Sequence, residues 1–180
     1  MMQTTNILIA GFGGQGVLFA GKFLAYAGLL LGQQVSWLPS YGPEMRGGTA
    51  NCSVILSDTP VGSPIVTNPD ILIAMNLPSF TKYQPAVRPG GVILLDSTLI
   101  TEAVNRDDVT AYAVPATKLA SDGGLSGLSN MILTGKLLSV CLPELTSVEA
   151  AALAKVVPPK KANLLEANAR ALALGRAYEG

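Results

Sequence analysis

The feature that most constrains the fold is a glycine-rich turn between an apolar strand and an apolar helix. Residues 6–10, N-I-L-I-A, form a short run with branched side chains, which is typical of a buried parallel strand. The sequence G-F-G-G-Q-G follows at 11–16 and leads into a predicted helix over 16–32, which ends at Gly32. A strand, a tight turn and a helix in this order predict an α/β fold.

The rest of the chain extends this pattern into a single predicted domain, residues 1–180. Short runs with branched or alternating apolar residues predict further strands at 33–38, 49–56, 71–75, 92–96 and 110–114. Helical patterns follow at 128–141, 147–156 and 161–178, while 57–69 is rich in turn formers. Strands that alternate with helical connections are typical of a three-layer α/β/α fold with a mostly parallel, Rossmann-like sheet and a helical C-terminal region.

Charge is unevenly distributed along the chain. Charged residues make up 13% of the sequence, where roughly 25% is usual. Only eight of them lie in residues 1–100. Because soluble monomers keep a charged surface, we expect another protein to cover part of this half; a small, very well buried core is the alternative. The formal net charge is zero and there is no basic run, which argues against binding to nucleic acid or to an anionic membrane.

The side chains that could hold a metal ion or perform catalysis are few. The chain has two cysteines, Cys52 and Cys141, and no histidine, so no zinc or all-cysteine iron–sulfur site is expected within it. No catalytic residue is predicted, because no histidine is available to activate a nucleophile. Asp96, at a strand end, is expected to cap a turn. Unpaired thiols without a secretory signal predict a cytoplasmic protein, and residues 17–31 are too short to span a bilayer.

Gly11, Gly13 and Gly16 have the spacing of a dinucleotide-binding turn. Glycine permits a tight turn and close ligand approach, and a helix N-terminus favours an anion. The predicted second strand, however, ends V-S-W-L-P at 35–39 without a carboxylate for a ribose, which argues against NAD. A phosphate-loop match at 16–22 is rejected because Phe23 replaces the required serine or threonine. Three roles remain open: packing alone, a site for a phosphate-bearing group, and a subunit contact.

A second loop, residues 39–48, is expected to face the glycine turn. If a right-handed helical crossover joins the first two strands, their carboxyl ends lie on the same edge of the sheet. Arg46 is the only strong anion-binding side chain in this loop. The predicted site is therefore a crevice between the turn and the loop. Its candidate residues are Gly11, Gly13, Gly14, Gln15, Gly16, Arg46, Gly47 and Gly48.

Five segments and one further residue carry a family resemblance. They are G-F-G-G-Q-G at 11–16, Y-G-P-E-M-R-G-G-T-A-N at 41–51, S-D-T-P-V-G-S-P at 57–64, P-D-I-L-I-A-M-N at 69–76, P-G-G at 89–91, and Asn130. Together they resemble the gamma subunit of 2-oxoacid:ferredoxin oxidoreductases, at least to residue 140. The pair of loops is the specific part of this resemblance, because the glycine turn alone occurs in many α/β proteins.

The resemblance implies a multi-subunit enzyme that oxidatively decarboxylates a 2-oxo acid, forms acyl-coenzyme A and reduces ferredoxin. Thiamine diphosphate, Mg and the iron–sulfur clusters would belong to alpha, beta and delta subunits, which are the implied partners. The gamma subunit would support assembly, would be inactive alone, and would place its crevice against coenzyme A phosphates or a partner loop. A homodimer of the isolated chain is compatible with this. The alternatives are the beta subunit of an indolepyruvate oxidoreductase and a free-standing nucleotide-binding module.

Overall fold

Six strands form one sheet with helices on both of its faces. The computed structural model describes residues 4–40 and 49–180. The strands are β1 (Thr4–Phe12), β2 (Gln34–Ser40), β3 (Thr49–Ser57), β4 (Ile71–Ala74), β5 (Val92–Asp96) and β6 (Thr110–Val114). The helices are α1 (Val17–Leu30), α2 (Leu77–Tyr83), α3 (Ala116–Asp122), α4 (Ser129–Val140), α5 (Glu149–Val156) and α6 (Asn163–Ala177).

The sheet is mostly parallel, as the sequence predicts. Its strand order is β2-β3-β1-β4-β5-β6. Strands β1, β4, β5 and β6 run parallel to one another, whereas β3 is antiparallel to both β1 and β2. It follows that β2 points in the same direction as β1, and β3 is the exception among the six.

The first two strands are not neighbours in the sheet, because β3 returns between them. The predicted common edge is nevertheless confirmed, since both strands are antiparallel to β3 and their carboxyl ends meet its first residues. Phe12 lies opposite Thr49, and Ser40 lies opposite Asn51. The glycine turn that follows β1 is therefore at the edge where β2 ends and β3 begins.

Two hydrophobic cores lie on opposite faces of the sheet, because side chains alternate along each strand. Ile7 and Ile9 of β1 belong to the larger core, which includes residues of α1, α3, α4, α5 and α6. The smaller core contains Leu8 together with Phe80 of α2. The predicted three layers are confirmed, but five helices cover one face and one helix covers the other.

Helix α1 is apolar on nearly all sides because it lies inside the larger helical layer. It packs against β1, β2 and β3 on one side and against α4 and α5 on the other. Its buried residues include Phe23 and Leu24, both fully inaccessible. A helix that is covered on two sides has no long polar face to present. Within 4–40 and 49–180, no helix is both long and apolar enough to cross a membrane.

Candidate functional site

In the structure Gly11 and Phe12 belong to β1, so the glycine turn comprises residues 13–16. The side chain of Gln15 fixes this turn to the ends of two strands. The Gln15 Oε1 atom accepts a hydrogen bond from the Phe12 backbone N–H at 2.6 Å. Its Nε2 atom donates to the carbonyl oxygen of Met75, the residue after β4, at 2.9 Å. The Met75 N–H in turn donates to the Ala10 carbonyl at 2.9 Å. One amide side chain thus closes the turn and ties it to the neighbouring strand.

Gly11 makes room for this arrangement. A Cβ atom at Gly11 would lie 2.7 Å from Gln15 Oε1 and 3.0 Å from the Met75 Cβ atom, closer than side chains pack. Any larger residue would therefore displace the Gln15 amide from its two partners. Gly11 and Gln15 thus stabilise the conformation of the turn. A direct contact of either residue with a ligand stays a prediction.

The start of α1 is not capped by a side chain. Gly16 is the N-cap residue, and the first turn contains no acidic residue. The first helical hydrogen bond runs from the Ala20 N–H to the Gly16 carbonyl at 3.0 Å. The first N–H groups of a helix have no partner inside the helix and carry partial positive charge. This start therefore offers donors and a favourable potential to an anion.

A pocket of about 260 Å³ lies at this helix start. It is lined by Phe12, Gly13, Gly14, Gly16, Val17, Leu18, Phe19 and Ala50. Three of the predicted site residues, Gly13, Gly14 and Gly16, thus meet in one cavity together with apolar side chains. Pockets for whole ligands of drug size are about 300–1,000 Å³, so this cavity has the size for one part of a larger ligand.

The second wall of the predicted crevice lies outside the described residues. This applies to Arg46, Gly47 and Gly48, whose part in the site stays a prediction. The residues that flank them are described: Ser40 ends β2 and Thr49 begins β3. Because Thr49 lies opposite Phe12 and Ser40 lies opposite Asn51, β2 ends and β3 begins at the edge that carries the glycine turn.

Asp96 caps a turn, as predicted, and also the start of α3, which the sequence did not predict. Its carboxylate accepts hydrogen bonds from the Thr117 backbone N–H at 3.1 Å, from Thr117 Oγ1 at 2.6 Å and from the Thr98 N–H at 3.1 Å. The residue is fully buried. Asp96 thus supplies hydrogen-bond acceptors from within the chain to the start of α3 and to the turn after β5.

The two cysteines are far apart and unreactive in character. Cys52 is buried beneath α1, its thiol donates to the Val17 carbonyl at 3.5 Å, and burial raises its pKa to about 12. Cys141 is half-buried in a groove with Thr4 and Thr5, at the opposite edge of the sheet, and burial raises its pKa to about 11. Neither thiol is a thiolate at neutral pH. In the portion of the chain that the structure describes, no three His, Cys, Asp or Glu side chains are grouped to hold a metal ion.

Besides the contact of Gln15 with Met75, sequence reasoning missed a contact between the turn and α4. The Nδ2 atom of Asn130 donates to the Gly16 carbonyl at 3.0 Å across 114 residues of sequence. No local pattern around Asn130 indicates such a partner, because only the packing of α4 beside α1 brings the two together. The resemblance named this residue without assigning it a role.

Comparison with known proteins places the chain in a family. The family model for pyruvate ferredoxin/flavodoxin oxidoreductase matches residues 6–178. The chain belongs to this family. Ketoisovalerate oxidoreductase subunit VorA of Methanothermobacter thermautotrophicus is 40% identical over 170 residues. The match covers 94% of this chain but 35% of that relative, so the chain spans about a third of its length.

Solved structures of the pyruvate ferredoxin/flavodoxin oxidoreductase family share the fold. The gamma subunit of a keto/oxoacid ferredoxin oxidoreductase from Geobacter sulfurreducens is 28% identical, with a TM-score of 0.79 and 95% of each chain covered. The 2-oxoglutarate:ferredoxin oxidoreductase from Magnetococcus marinus was solved with 2-oxoglutarate, coenzyme A and succinyl-CoA bound. It is 25% identical, with a TM-score of 0.78, and the match covers 98% of this chain and 32% of that one.

The alternative assignment to an indolepyruvate oxidoreductase is the weaker one. Subunit IorB of Thermococcus kodakarensis is 24% identical, although the match covers 97% of this chain and 95% of that one. The predicted resemblance to gamma subunits is therefore confirmed, and the indolepyruvate subunit is a more distant relative.

Proposed function

We propose that this chain is the gamma component of a 2-oxoacid:ferredoxin oxidoreductase. The observation that carries the proposal is the family match over residues 6–178, together with a fold that agrees with a gamma subunit along 95% of both chains. The enzyme would decarboxylate a 2-oxo acid, pass two electrons to ferredoxin and transfer the acyl group to coenzyme A. The gamma component would assemble with alpha, beta and delta components in the cytoplasm.

The redox and decarboxylation chemistry would belong to the partner subunits. A four-thiolate iron–sulfur cluster needs twice the cysteines that this chain contains, and Cys52 and Cys141 lie at different places in the fold. Thiamine diphosphate, held through Mg, would supply the carbanion chemistry in another subunit. The isolated chain is therefore expected to be inactive, and co-purification with thiamine- and cluster-bearing subunits tests this assembly. A monomer that binds NAD would contradict it.

The glycine turn would receive phosphate groups of coenzyme A. The uncapped start of α1 offers backbone donors, and the lining of the pocket by Gly13, Gly14 and Gly16 allows close approach. Arg46, in the adjoining segment, would add a charged donor. The structural relative from Magnetococcus marinus, which contains bound coenzyme A, supports this choice of ligand. The turn would hold and orient coenzyme A while the chemistry proceeds elsewhere.

A matched pair of variants tests the ligand. Leu18 is half-buried in the first turn of α1 and lines the pocket. In the assembled enzyme, Leu18→Glu places a carboxylate where a phosphate would bind and should raise the KM for coenzyme A about tenfold. Leu18→Gln has nearly the same shape without the charge and should change this KM by less than about threefold. If the two variants behave alike, the site does not bind an anion.

The role of Arg46 is tested separately. Arg46→Ala should raise the KM for coenzyme A in the assembled enzyme, because a charged donor to phosphate is lost. The KM for the 2-oxo acid should not change, since that substrate would bind to other subunits. Unchanged coenzyme A kinetics together with unchanged subunit association would show that Arg46 belongs to neither site.

An apolar surface at the end of α1 and along β2 would contact a partner subunit. Of the nine large hydrophobic residues that are exposed in the described part of the chain, eight lie within residues 1–100. Leu29 is 53% exposed, and Trp37 and Leu38 are exposed on β2. No described strand pairs with the outer edge of β2. These exposures agree with the covered surface that the scarcity of charge predicts.

Charge introduced into this surface should weaken assembly. Leu29→Lys should reduce co-purification of the partner subunits, because it puts a charge into an apolar contact. Leu164→Lys is the matched control, since Leu164 is also an exposed leucine, 37% accessible, but lies on α6. Equal losses from both variants would contradict the assignment of the surface.

A further inference from the structure

Asn130 connects two helices that are distant in sequence. It is the second residue of α4, it is 3% exposed, and its Nδ2 atom donates to the Gly16 carbonyl at 3.0 Å. Gly16 is the residue from which α1 starts. A buried side chain of α4 therefore reaches the point where the glycine turn becomes a helix.

Gly16 is required both by its own conformation and by Asn130. Its φ angle is 75°, in the left-handed region that favours glycine. A Cβ atom at Gly16 would also lie 2.8 Å from the Asn130 Cγ atom and would overlap Asn130 Nδ2. The Asn130 amide occupies the space that a side chain at position 16 would need, so the two residues fit only as a pair.

The hydrogen bond from Asn130 fixes a whole peptide group. The Gly16 carbonyl accepts from Asn130 Nδ2 and from the Ala20 N–H, both at 3.0 Å. Because a trans peptide is planar, the N–H of Val17 points opposite to this carbonyl, out of the helix start and towards the turn. Donation to the carbonyl oxygen also polarises the peptide, which strengthens the N–H as a donor.

The other end of the Asn130 amide has no partner. Its Oδ1 atom is buried and makes no hydrogen bond within the described chain. This atom lies 3.3 Å from the position of a Cβ atom on Gly16, so it is directed at the start of α1. A buried acceptor without a partner reduces stability. An apolar side chain of the same shape would avoid this cost, so the unpartnered oxygen itself does not stabilise the fold.

We infer that Asn130 is a positioning residue of the glycine-turn site, which aims the Val17 N–H at a phosphate of the bound ligand. The inference rests on the proposed function, in which that ligand is coenzyme A. Asn130 would not touch coenzyme A, because its effect passes through the Gly16–Val17 peptide.

Replacement of Asn130 by leucine separates this role from a structural one. Asn130→Leu keeps the shape of the side chain, removes the Nδ2 donor and removes the unpartnered oxygen. In the assembled enzyme it should raise the KM for coenzyme A about tenfold, while kcat and the KM for the 2-oxo acid stay within about twofold. The midpoint of urea unfolding should stay the same or rise. A purely structural residue would lower that midpoint and leave the KM unchanged.

Asn168 supplies a matched control. It is 2% exposed, its Nδ2 atom donates to the carbonyl of Leu164 at 2.7 Å, and its Oδ1 atom likewise has no hydrogen-bond partner in the described residues. This bond lies within α6 and not at the glycine turn. Asn168→Leu should therefore leave the KM for coenzyme A unchanged. Equal values for the two leucine variants would overturn the role of Asn130.

A second variant serves if Asn130→Leu does not fold. Asn130→Asp lacks the donor when its carboxylate is ionised and regains an O–H donor when it is protonated. Its defect in the KM for coenzyme A should shrink as the pH is lowered, relative to the wild-type enzyme. A defect that is independent of pH would count against the hydrogen bond to Gly16.

The Leu18 variants distinguish a failure of the coenzyme A site from a failure of the role of Asn130. If Leu18→Glu leaves the KM for coenzyme A at the wild-type value, the turn is not the coenzyme A site, and the proposed coenzyme A role of the turn falls together with the role of Asn130. The assignment as a gamma component would then rest on co-purification with the partner subunits. If Leu18→Glu raises that KM and Asn130→Leu does not, coenzyme A binds at the turn and only the positioning role is wrong.

Discussion

Two helices start near the carboxyl edge of the sheet, and their starts are completed in opposite ways. At α3, the Asp96 side chain accepts hydrogen bonds from Thr117, so the chain supplies its own acceptor. At α1, the N-cap is Gly16, and the first turn has neither a side-chain cap nor an acidic residue. Every helix start has the same need for acceptors. A start left open beside a pocket is therefore a place where an external group is expected, whereas a closed start serves the fold.

Removal of Asp96 should have the largest effect on stability. Asp96→Ala leaves the Thr117 N–H, the Thr117 hydroxyl and the Thr98 N–H without their acceptor and should lower the free energy of unfolding by about 2–4 kcal/mol, measured in urea. Asp122→Ala is the control, because Asp122 is 60% exposed and pairs with Lys118 at the surface. That change should cost less than about 1 kcal/mol. Similar losses from both variants would mean that the start of α3 does not depend on its cap.

Replacement of Gly16 should have the next largest effect. Gly16→Ala forces a side chain into the left-handed region and against Asn130, and should lower the free energy of unfolding by about 2 kcal/mol. Asn130→Ala opens the space, so the double variant should lose less than the two single changes together. If the losses add without any interaction, the two residues are not in contact.

The thiol beneath α1 should make stability depend on alkaline pH. Burial raises the pKa of Cys52 from 9.0 to about 12. Because the folded pKa lies above the unfolded one, the contribution of the thiol is complete below about pH 9 and is lost as the pH rises towards 12. The difference in unfolding free energy between wild type and Cys52→Ala should fall by about 1 kcal/mol between pH 9 and pH 10.

Cys141 provides the comparison for that experiment. Burial raises its pKa to about 11, so the contribution of this thiol to the unfolding free energy should be lost between about pH 9 and pH 11, a narrower range than for Cys52. Alkylation by iodoacetamide at pH 8 should modify Cys141 slowly and Cys52 only after unfolding, because Cys52 is fully inaccessible. Rapid modification of Cys52 in the folded protein would show that the start of α1 opens readily.

The smallest expected effect comes from closing the open helix start. Leu18→Glu and Leu18→Gln both lose the packing of the half-buried leucine, but Leu18→Glu also gives α1 an acidic first turn. The isolated Leu18→Glu chain should therefore be more stable than Leu18→Gln by about 0.3–1 kcal/mol at low salt, and 1 M NaCl should reduce this difference. If Leu18→Glu is more stable than Leu18→Gln but binds coenzyme A more weakly, the start of α1 can bind either an acidic side chain of its own chain or the ligand, but not both at once.

The sequence predicts the strands well and the short helices poorly. Runs such as 6–10 and 92–96 combine branched residues with near-complete burial, a signal strong enough to place β1 and β5. Helices α2 and α3 have seven residues each, too few to show a helical period, and both were missed. Their starts depend on Asn76, which accepts from the Ser79 N–H at 2.8 Å, and on Asp96.

The site was predictable only in its local part. The spacing of Gly11, Gly13 and Gly16 predicts a turn at a helix start, because those constraints act within a few residues. The contacts that fix the turn join Gln15 to Met75 and Gly16 to Asn130, across 60 and 114 residues. Such pairs follow from strand order and helix packing. The reversed direction of β3 likewise depends on pairing with two other strands, which no single segment encodes.

The reversal of β3 has a consequence for how this fold can diversify. Because Ser40 and Thr49 both lie at the edge of the glycine turn, an insertion or deletion between them begins and ends at this edge and leaves the order of the six strands untouched. Lengthening such a connection costs little free energy, since the closure term grows only slowly with length. Evolution can therefore exchange the contacts around one helix start without redesigning the scaffold that carries it.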